Sequence, residues 1–149
     1  MRVLIQRVVN ASVEINKKEH SNISKGLLVF VGIEESDSDK DITYLCKKIA
    51  NLRIFDDANG IMNDSVIDIN GQIMVISQFT LHASTRKGNR PSYIKAAKPD
   101  TAIPIYEQFC NELQTLTGTE IRTGVFGADM KVSLINDGPV TIWIDSKEK

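Results

Sequence analysis

Two short motifs in this sequence could carry chemistry, because each places unusual groups at the end of a predicted strand. The first, Ser-Gln-Phe-Thr-Leu at residues 77–81, brings two hydroxyls, an amide and an aromatic ring together after the apolar run 73–76. The second, Asn-Asp-Gly-Pro-Val-Thr at residues 136–141, sets a Gly-Pro pair in front of a β-branched run. Proline lacks the N–H that a strand interior needs. Folding alone therefore requires neither motif.

The strand-end hydroxyl of Thr80 suggests a hydrolase nucleophile, which needs a general base within hydrogen-bonding reach. His82 lies two residues further on, so a Thr80–His82 pair is conceivable, but no local carboxylate is placed to orient the imidazole. Free backbone N–H groups at the strand end give a second option, since they can stabilise an oxyanion while Ser77 and Gln78 place the substrate. An ester that is already reactive towards water then needs no protein nucleophile. We favour this second option and keep a covalent Thr80 as the alternative.

The pair Gly138–Pro139 has two interpretations. Asp-Gly is a common hairpin turn, and a proline after glycine often begins an edge strand. Alternatively the bond is cis, as about 5% of X-Pro bonds are in folded proteins. A cis bond would set the Gly138 and Pro139 carbonyls side by side as a rigid wall without side chains, which could test the configuration of a bound α-carbon. The sequence leaves the isomer open.

A basic segment follows the first motif. Between residues 86 and 98 there are five cations and no acidic residue, namely Arg86, Lys87, Arg90, Lys95 and Lys98, with Tyr93 among them. Such a segment could follow a phosphate backbone and stack a base on its aromatic ring. A solvated basic loop is the equally good alternative. The net charge of −1 argues against a strongly basic nucleic-acid-binding protein, so any such site is local.

Composition narrows the remaining classes. The 149 residues are enough for one domain with its own core, and no apolar run approaches the roughly 20 residues of a membrane helix. The first residues are typical of a strand rather than a secretory signal, which predicts a cytoplasmic protein. Cys46 and Cys110 are far apart among helix-forming residues and are predicted to be free, buried thiols. No metal-binding spacing of His or Cys occurs, so we predict no metal and no cofactor.

Periodicity gives the elements that must position the motifs. Alternating or continuous apolar patterns predict strands at residues 3–9, 11–15, 27–33, 72–76, 121–126, 130–135 and 140–145, with a hairpin turn at Asn70-Gly71 before the fourth. Helical spacing predicts one amphipathic helix from about residue 37 to 53 and another that opens at Pro99 and closes at 117–119. The fold class is therefore α/β, with a largely antiparallel, barrel-like sheet and two main helices in a single domain.

The whole chain resembles the D-aminoacyl-tRNA deacylase family. The resemblance is carried, in order, by residues 1–8, 77–81, 85–91, 123–124, 126–130 and 136–141. It implies a homodimer that hydrolyses the ester between a D-amino acid and the terminal adenosine of tRNA, aided by the 2′-hydroxyl of the tRNA. It also implies that Gly138–Pro139 is the family's Gly-cis-Pro motif, which enters the active site of the other subunit. The implied partner is aminoacylated tRNA, and a non-enzymatic RNA-binding module is the competing hypothesis.

The resemblance also assigns residues. It places Phe79 and Thr80 at catalytic positions. The implied substrate-binding residues are Ser77, Gln78, Gly138, Pro139, Arg7, Ala102 and Met130, and we predict tRNA binding by Arg86, Lys87 and Arg90. The sequence departs from many relatives at residues 81–84, where a tyrosine and a later aspartate are common. Because glycine has no side chain to clash with a wall of carbonyls, glycyl-tRNA is a predicted second substrate.

Overall fold

The computed structural model describes residues 1–148 of the chain. Within them the elements are β1 (Arg2–Ile15), β2 (Lys18–Ile23), β3 (Gly26–Gly32), α1 (Asp39–Asn51), β4 (Phe55–Asp56), β5 (Met62–Asp64), β6 (Gln72–Ser77), a 3₁₀ turn (Phe79–His82), α2 (Pro99–Thr117), β7 (Ile121–Thr123) and β8 (Lys131–Asp145). The small β4–β5 hairpin stands apart from the main sheet. The two predicted helices are both present.

The main sheet is mixed and barrel-like. Its strands run in the order β2-β1-β3-β6-β7, and β8 pairs with the other edge of β1. All three partners of β1 are antiparallel to it, whereas β6 is parallel to both β3 and β7. Parallel neighbours need a crossover, and α1 and α2 supply these two connections. The predicted fold class of two helices on a barrel-like sheet is confirmed.

Two apolar clusters hold the sheet. The larger lies between the sheet and the helices, where α1 contributes Ile42, Leu45 and Ile49 and α2 contributes Phe109 and Leu113, all with 0% exposure. The smaller lies on the opposite face of the sheet and includes Val8, Val13, Leu28, Met74 and Ile76. Because successive residues of a strand face opposite sides, β3 and β6 contribute side chains to both clusters. Their sequences are therefore continuously apolar.

Two predicted strand breaks are wrong. β1 is one strand through residue 10, and β8 is one strand through residues 136–139. The pairing of β1 with β8 shifts register instead: Gln6 pairs with Thr141 and Val8 with Asn136, so residues 137–140 oppose Arg7 alone. This bulge accommodates Gly138–Pro139 within a long strand, because a bulge leaves residues unpaired without ending the ladder.

Other boundaries also differ. The hairpin predicted at Asn70-Gly71 does not form, since β6 pairs in parallel with β3 and its start is fixed by the Gln72 N–H donating to the Lys25 carbonyl at 3.1 Å. Asn70 instead occupies a turn with φ of 50°. The strand predicted at 121–126 ends at Thr123, because the chain leaves the sheet there. The first helix, α1, ends at Asn51, two residues before its predicted end at about residue 53.

The two cysteines are free, as predicted, with Cys46 buried and Cys110 half-buried. The Cys46 thiol lies 3.5 Å from the Phe109 carbonyl, between the two helices. Burial is the main cause that raises the pKa of Cys110 to about 11, so this thiol is protonated at neutral pH. No helix among residues 1–148 is long and apolar enough to cross a membrane.

Candidate active site

A pocket of about 320 Å³ opens where the parallel strands β3 and β6 end. Its apolar wall includes Val31, Ile76, Ala102, Phe126, Met130 and Val132. Its polar groups come from Ser77, Gln78 and Asp129. Ligands commonly bind outside the carboxyl ends of parallel strands, because the chain turns away there and leaves space. The pocket is therefore the candidate active site.

The backbone leaves the sheet at this edge. The Gln78 N–H still donates to the Val31 carbonyl at 2.7 Å, but the chain then enters the 3₁₀ turn, closed by bonds from Leu81 to Gln78 and from Ala83 to Thr80. The N–H groups at the start of such a turn have no acceptor within it. Among the described residues, those of Phe79 and Thr80 have no hydrogen-bond acceptor at all. One of these two free donors belongs to Phe79, which lines the pocket, and the other to Thr80, the next residue on the turn; paired backbone donors of this kind can stabilise an oxyanion.

The side chains of the motif divide between lining and support. Ser77, Gln78 and Phe79 line the pocket, and Thr80 follows on the turn. The Gln78 Nε2 donates to the Thr80 hydroxyl at 2.6 Å. Phe79 is 56% exposed at the mouth and packs edge-on against Tyr93, with ring centroids 5.0 Å apart. The motif therefore supplies one wall of the pocket and its rim.

The conceivable pair of Thr80 and His82 does not form. The His82 ring is 1% exposed, and neither of its nitrogens has a hydrogen-bond partner in the described part of the chain. Burial is the main cause that lowers the pKa of His82. The Thr80 hydroxyl instead accepts from Gln78, and none of residues 1–148 is placed to take its proton as a base.

Two residues that sequence reasoning missed support the turn. Gly32, the last residue of β3, packs directly against the 3₁₀ turn. A Cβ on Gly32 would come within 2.9 Å of the Leu81 Cβ and 3.0 Å of the Gln78 carbonyl oxygen. From β1, Arg2 donates to the Leu81 carbonyl at 3.1 Å and to Asp145 at 2.8 Å. The sequence did offer a signal for Gly32, because a glycine ends a buried apolar strand there. It offered none for Arg2, whose contact with Leu81 spans 79 positions.

The predicted wall residues Ala102 and Met130 do lie in the pocket. Ala102 is in the first turn of α2, whose start is held by Glu35: its carboxylate accepts from the Lys98 N–H at 2.9 Å and the Thr101 hydroxyl at 3.0 Å. These bonds, that of Lys98 first, lower the pKa of Glu35. Met130 packs so closely on Gly124 that a Cβ there would overlap its sulfur.

Gly138–Pro139 lies elsewhere. The bond is cis, Gly138 has φ of +123°, and both residues are exposed. Arg7 is buried beneath them: it donates to the Asp137 carbonyl at 3.1 Å and to the Ile54 carbonyl at 2.7 Å. Neither the pair nor Arg7 lines the pocket of its own chain. The structure therefore separates the two motifs within one copy.

The basic segment forms a closed loop on the surface. Ser84 and Ser92 exchange backbone hydrogen bonds of 2.8 and 2.9 Å, and Gly88 has φ of +96° within the loop. The predicted tRNA-binding residues Arg86, Lys87 and Arg90 are all exposed on it. Among residues 1–148 they form no ion pair, so their charges are available to a ligand.

The comparison with known proteins agrees with this geometry. The family model described as D-Tyr-tRNA(Tyr) deacylase matches residues 4–145. A D-aminoacyl-tRNA deacylase of Bacteroides fragilis is 66% identical over 149 residues, which cover all of this chain and 99% of that protein. One of Flavobacterium psychrophilum is 64% identical with the same coverage.

Two solved structures share the fold. One, titled c-Myc DNA Unwinding Element Binding Protein, is 37% identical and has a TM-score of 0.93. The match covers 97% of this chain and 98% of that one. The other, a probable eukaryotic D-amino acid tRNA deacylase, is 16% identical with a TM-score of 0.82 over 96% of this chain and 97% of that one, which shows the fold alone. The family match spans nearly the whole sequence and the relatives match from end to end. The chain therefore belongs to the D-aminoacyl-tRNA deacylase family of enzymes.

Proposed function

We propose that this chain hydrolyses the ester bond of D-aminoacyl-tRNA, releasing the D-amino acid and free tRNA, and that it also accepts glycyl-tRNA. Deacylation is the activity of its family. The observation that carries the mechanism is the pair of free N–H groups of Phe79, which lines the pocket, and of the next residue, Thr80. A tRNA substrate also favours the cytoplasm as the place of action.

The chemistry needs little from side chains. Water adds to the ester carbonyl carbon, negative charge develops on the carbonyl oxygen, and the two N–H groups stabilise it. Removing one such donor costs about 2.7–4 kcal/mol in other hydrolases. The C–O bond to the 3′ oxygen then breaks, and that oxygen leaves with a proton. We assign the proton transfer to the 2′-hydroxyl of the terminal ribose, because neither Thr80 nor His82 is placed as a base.

Discrimination requires a second copy. Within residues 1–148, β8 is paired on one side only, by β1, and it carries Ile135 with 54% and Trp143 with 46% exposure. An exposed apolar edge strand is an association hazard unless it is covered. A homodimer would cover it and bring Gly138–Pro139 of one copy into the pocket of the other. Its carbonyls would then exclude an L side chain by clash and by desolvation, while a hydrogen atom or a D side chain fits.

The basic segment at residues 86–98, called the basic loop from here on, completes the site. Arg86, Lys87 and Arg90 extend from the same segment as Tyr93, which contacts Phe79 at the pocket mouth. Phosphates of the acceptor end would therefore meet three unpaired cations as the ester enters. This local patch offsets the net charge of −1, which gives the whole molecule no attraction for RNA.

The decisive measurement compares release of D-tyrosine, L-tyrosine and glycine from charged tRNA at equal enzyme concentration. We expect rapid release of D-tyrosine, measurable release of glycine, and release of L-tyrosine at the uncatalysed rate. Equal rates for D- and L-tyrosine would remove the chiral assignment. Tight tRNA binding without any release would favour the RNA-binding module, for which the unpaired cations of the basic loop are the supporting observation.

Complementation tests the dimer. Ala128→Trp should block the pocket but leave the bulge intact, and Gly138→Glu should do the reverse. Each variant alone should be inactive, whereas a refolded equal mixture should regain roughly a quarter of wild-type activity, from one complete site in each mixed dimer. A mixture that contains mixed dimers by sedimentation but stays inactive would contradict the shared site.

A further inference from the structure

His82 is an unusual buried residue. It ends the 3₁₀ turn, its ring is 1% exposed, and its two ring nitrogens are the only buried side-chain nitrogen or oxygen atoms without a hydrogen-bond partner in residues 1–148. Burying a polar group without a partner costs about 1–3 kcal/mol. The mechanism above makes no use of the ring as a base.

The surroundings of the ring disfavour its charged form. The ring packs on Gly32, where a Cβ would be 3.0 Å from the His82 Cδ2. The charged groups that face it are the Arg2 guanidinium and the α-ammonium of Met1 from the start of β1, and the Glu34 carboxylate after β3. Burial lowers the pKa of His82 most, and Arg2 lowers it further. The backbone of Gly32, which lies near the ring but not in hydrogen-bonding geometry with either nitrogen, raises it in part. A proton on the ring would therefore need water.

The ring is 1% exposed, so its hydration would require the turn that carries it to open. The Leu81 carbonyl is bound by Arg2 at 3.1 Å, and the Ala83 N–H donates to the Thr80 carbonyl at 3.0 Å. These two bonds involve the residues on either side of His82 and help to fix the turn. A ring that moved out to be hydrated would strain both of them, and the free N–H groups of Phe79 and Thr80 at the start of the turn would shift with it.

We propose that His82 is a positioning residue that keeps the 3₁₀ turn in its active shape only while its ring is neutral, so that protonation of this one side chain turns the deacylase off in mildly acidic solution. The proposal rests on the proposed function in one respect, namely that the N–H groups of Phe79 and Thr80 hold the substrate oxygen. His82 itself touches no substrate.

The test is the single-turnover rate of D-tyrosine release between pH 5 and 8 for three proteins: wild type, His82→Phe and His20→Phe. His20 is the matched control, because it is the only other histidine and is exposed on β2. Dividing one rate by another at each pH removes the pH dependence of the ester itself. Wild type and His82→Phe should agree at pH 8. Because burial holds the pKa of His82 below the ordinary value of about 6.5, the two rates should stay together down to that pH and separate only below it, where wild type should fall behind by up to about tenfold per pH unit.

His20→Phe should follow wild type throughout, whereas parallel profiles of wild type and His82→Phe would overturn the proposal. If His82→Phe does not fold, a pH titration of the wild-type protein followed by NMR tests the proposal instead. The His82 ring and the amides of Phe79 and Thr80 should then shift with one common midpoint. Amides that ignore the titration of the ring would overturn the proposal. Absence of D-tyrosine release at pH 8 would count against the proposed function instead, and the NMR titration would still decide the role of His82.

Discussion

The side-chain amide of Gln78 donates a 2.6 Å hydrogen bond to the hydroxyl of Thr80. The two residues flank Phe79 at the point where β6 gives way to the 3₁₀ turn. A hydroxyl oxygen that accepts a hydrogen bond is a weaker nucleophile, and no base in the described part of the chain is placed to take its proton. We therefore expect this pair to support the shape of the turn rather than to attack a substrate.

Thr80→Val tests this directly, because valine keeps the shape of threonine and removes the hydroxyl. We expect roughly a fivefold fall in kcat or less, which corresponds to the loss of one neutral hydrogen bond of about 1 kcal/mol. A covalent nucleophile would instead make the loss a thousandfold or more. Steady-state release of D-tyrosine distinguishes the two, and a trapped acyl-enzyme in wild type would contradict our assignment.

Gly32→Ala should displace the turn. The new methyl group would lie within 3.0 Å of Leu81, Gln78 and His82, so the free N–H groups must move, and we expect kcat to fall about tenfold or more. Gly71→Ala is the control, because its methyl group would be equally crowded, 3.0 Å from Ile69 and Val66, but away from the pocket. Equal losses of activity in both variants would mean that stability alone is affected.

Gly138→Ala should weaken chiral selection. Alanine is strained at φ of +123°, and its methyl group would stand 3.0 Å from the Arg7 Nη2 and 2.9 Å from the Val140 Cγ2. We expect the ratio of D- to L-tyrosine release to fall at least about tenfold. Gly118→Ala, at φ of +67° with no atom within 4 Å, carries backbone strain without these contacts and should keep the ratio.

Replacing Arg86, Lys87 and Arg90 together by alanine should raise KM for charged tRNA about tenfold or more without changing kcat, because phosphate contacts bind but do not react. The dependence of binding on salt should become shallower at the same time. Lys17→Ala with Lys18→Ala, at the exposed turn between β1 and β2, is the control. A variant that binds tRNA as wild type does would remove the basic loop from the site.

Acid stability should depend on Asp41. Burial raises its pKa, but hydrogen bonds from Ser146, Lys147 and Ser38 outweigh this and lower it below the ordinary value. A carboxylate with a lowered pKa in the folded state adds stability above about pH 4, and that stability is lost as pH falls further. Urea unfolding should show Asp41→Asn less stable at pH 7 and less dependent on pH below 4. An unchanged acid slope would contradict this.

The helices and one side of the pocket could be predicted from the sequence because their signals are local. Ser38 precedes α1, and the Asp41 carboxylate accepts from its N–H at 2.9 Å; Pro99 opens α2, and Gly118 ends it with φ of +67°. The strand-end motif was equally visible, since the apolar run of β6 stops where the polar groups begin. Patterns of a few residues sufficed for these elements.

The rest could not be predicted, because it depends on contacts between distant parts of the chain. The course of β8 through Gly138–Pro139 is set by the bulge opposite Arg7, which lies 130 positions earlier. Likewise, the support of the turn by Gly32 and Arg2 arises only when β1 and β3 pair. Strong local turn signals such as Asn70-Gly71 were outweighed by the parallel pairing of β3 with β6.

One strand, β8, contributes to two distinct places. Near its start Val132 forms part of the cavity of its own copy, and further along Gly138 protrudes from the bulge. Inserting or deleting one residue between them would move every later side chain of the strand to the opposite face of the sheet. The spacing of these two residues is therefore under a double constraint, and we expect functional descendants of this chain to tolerate substitutions along that stretch but never a change in its length.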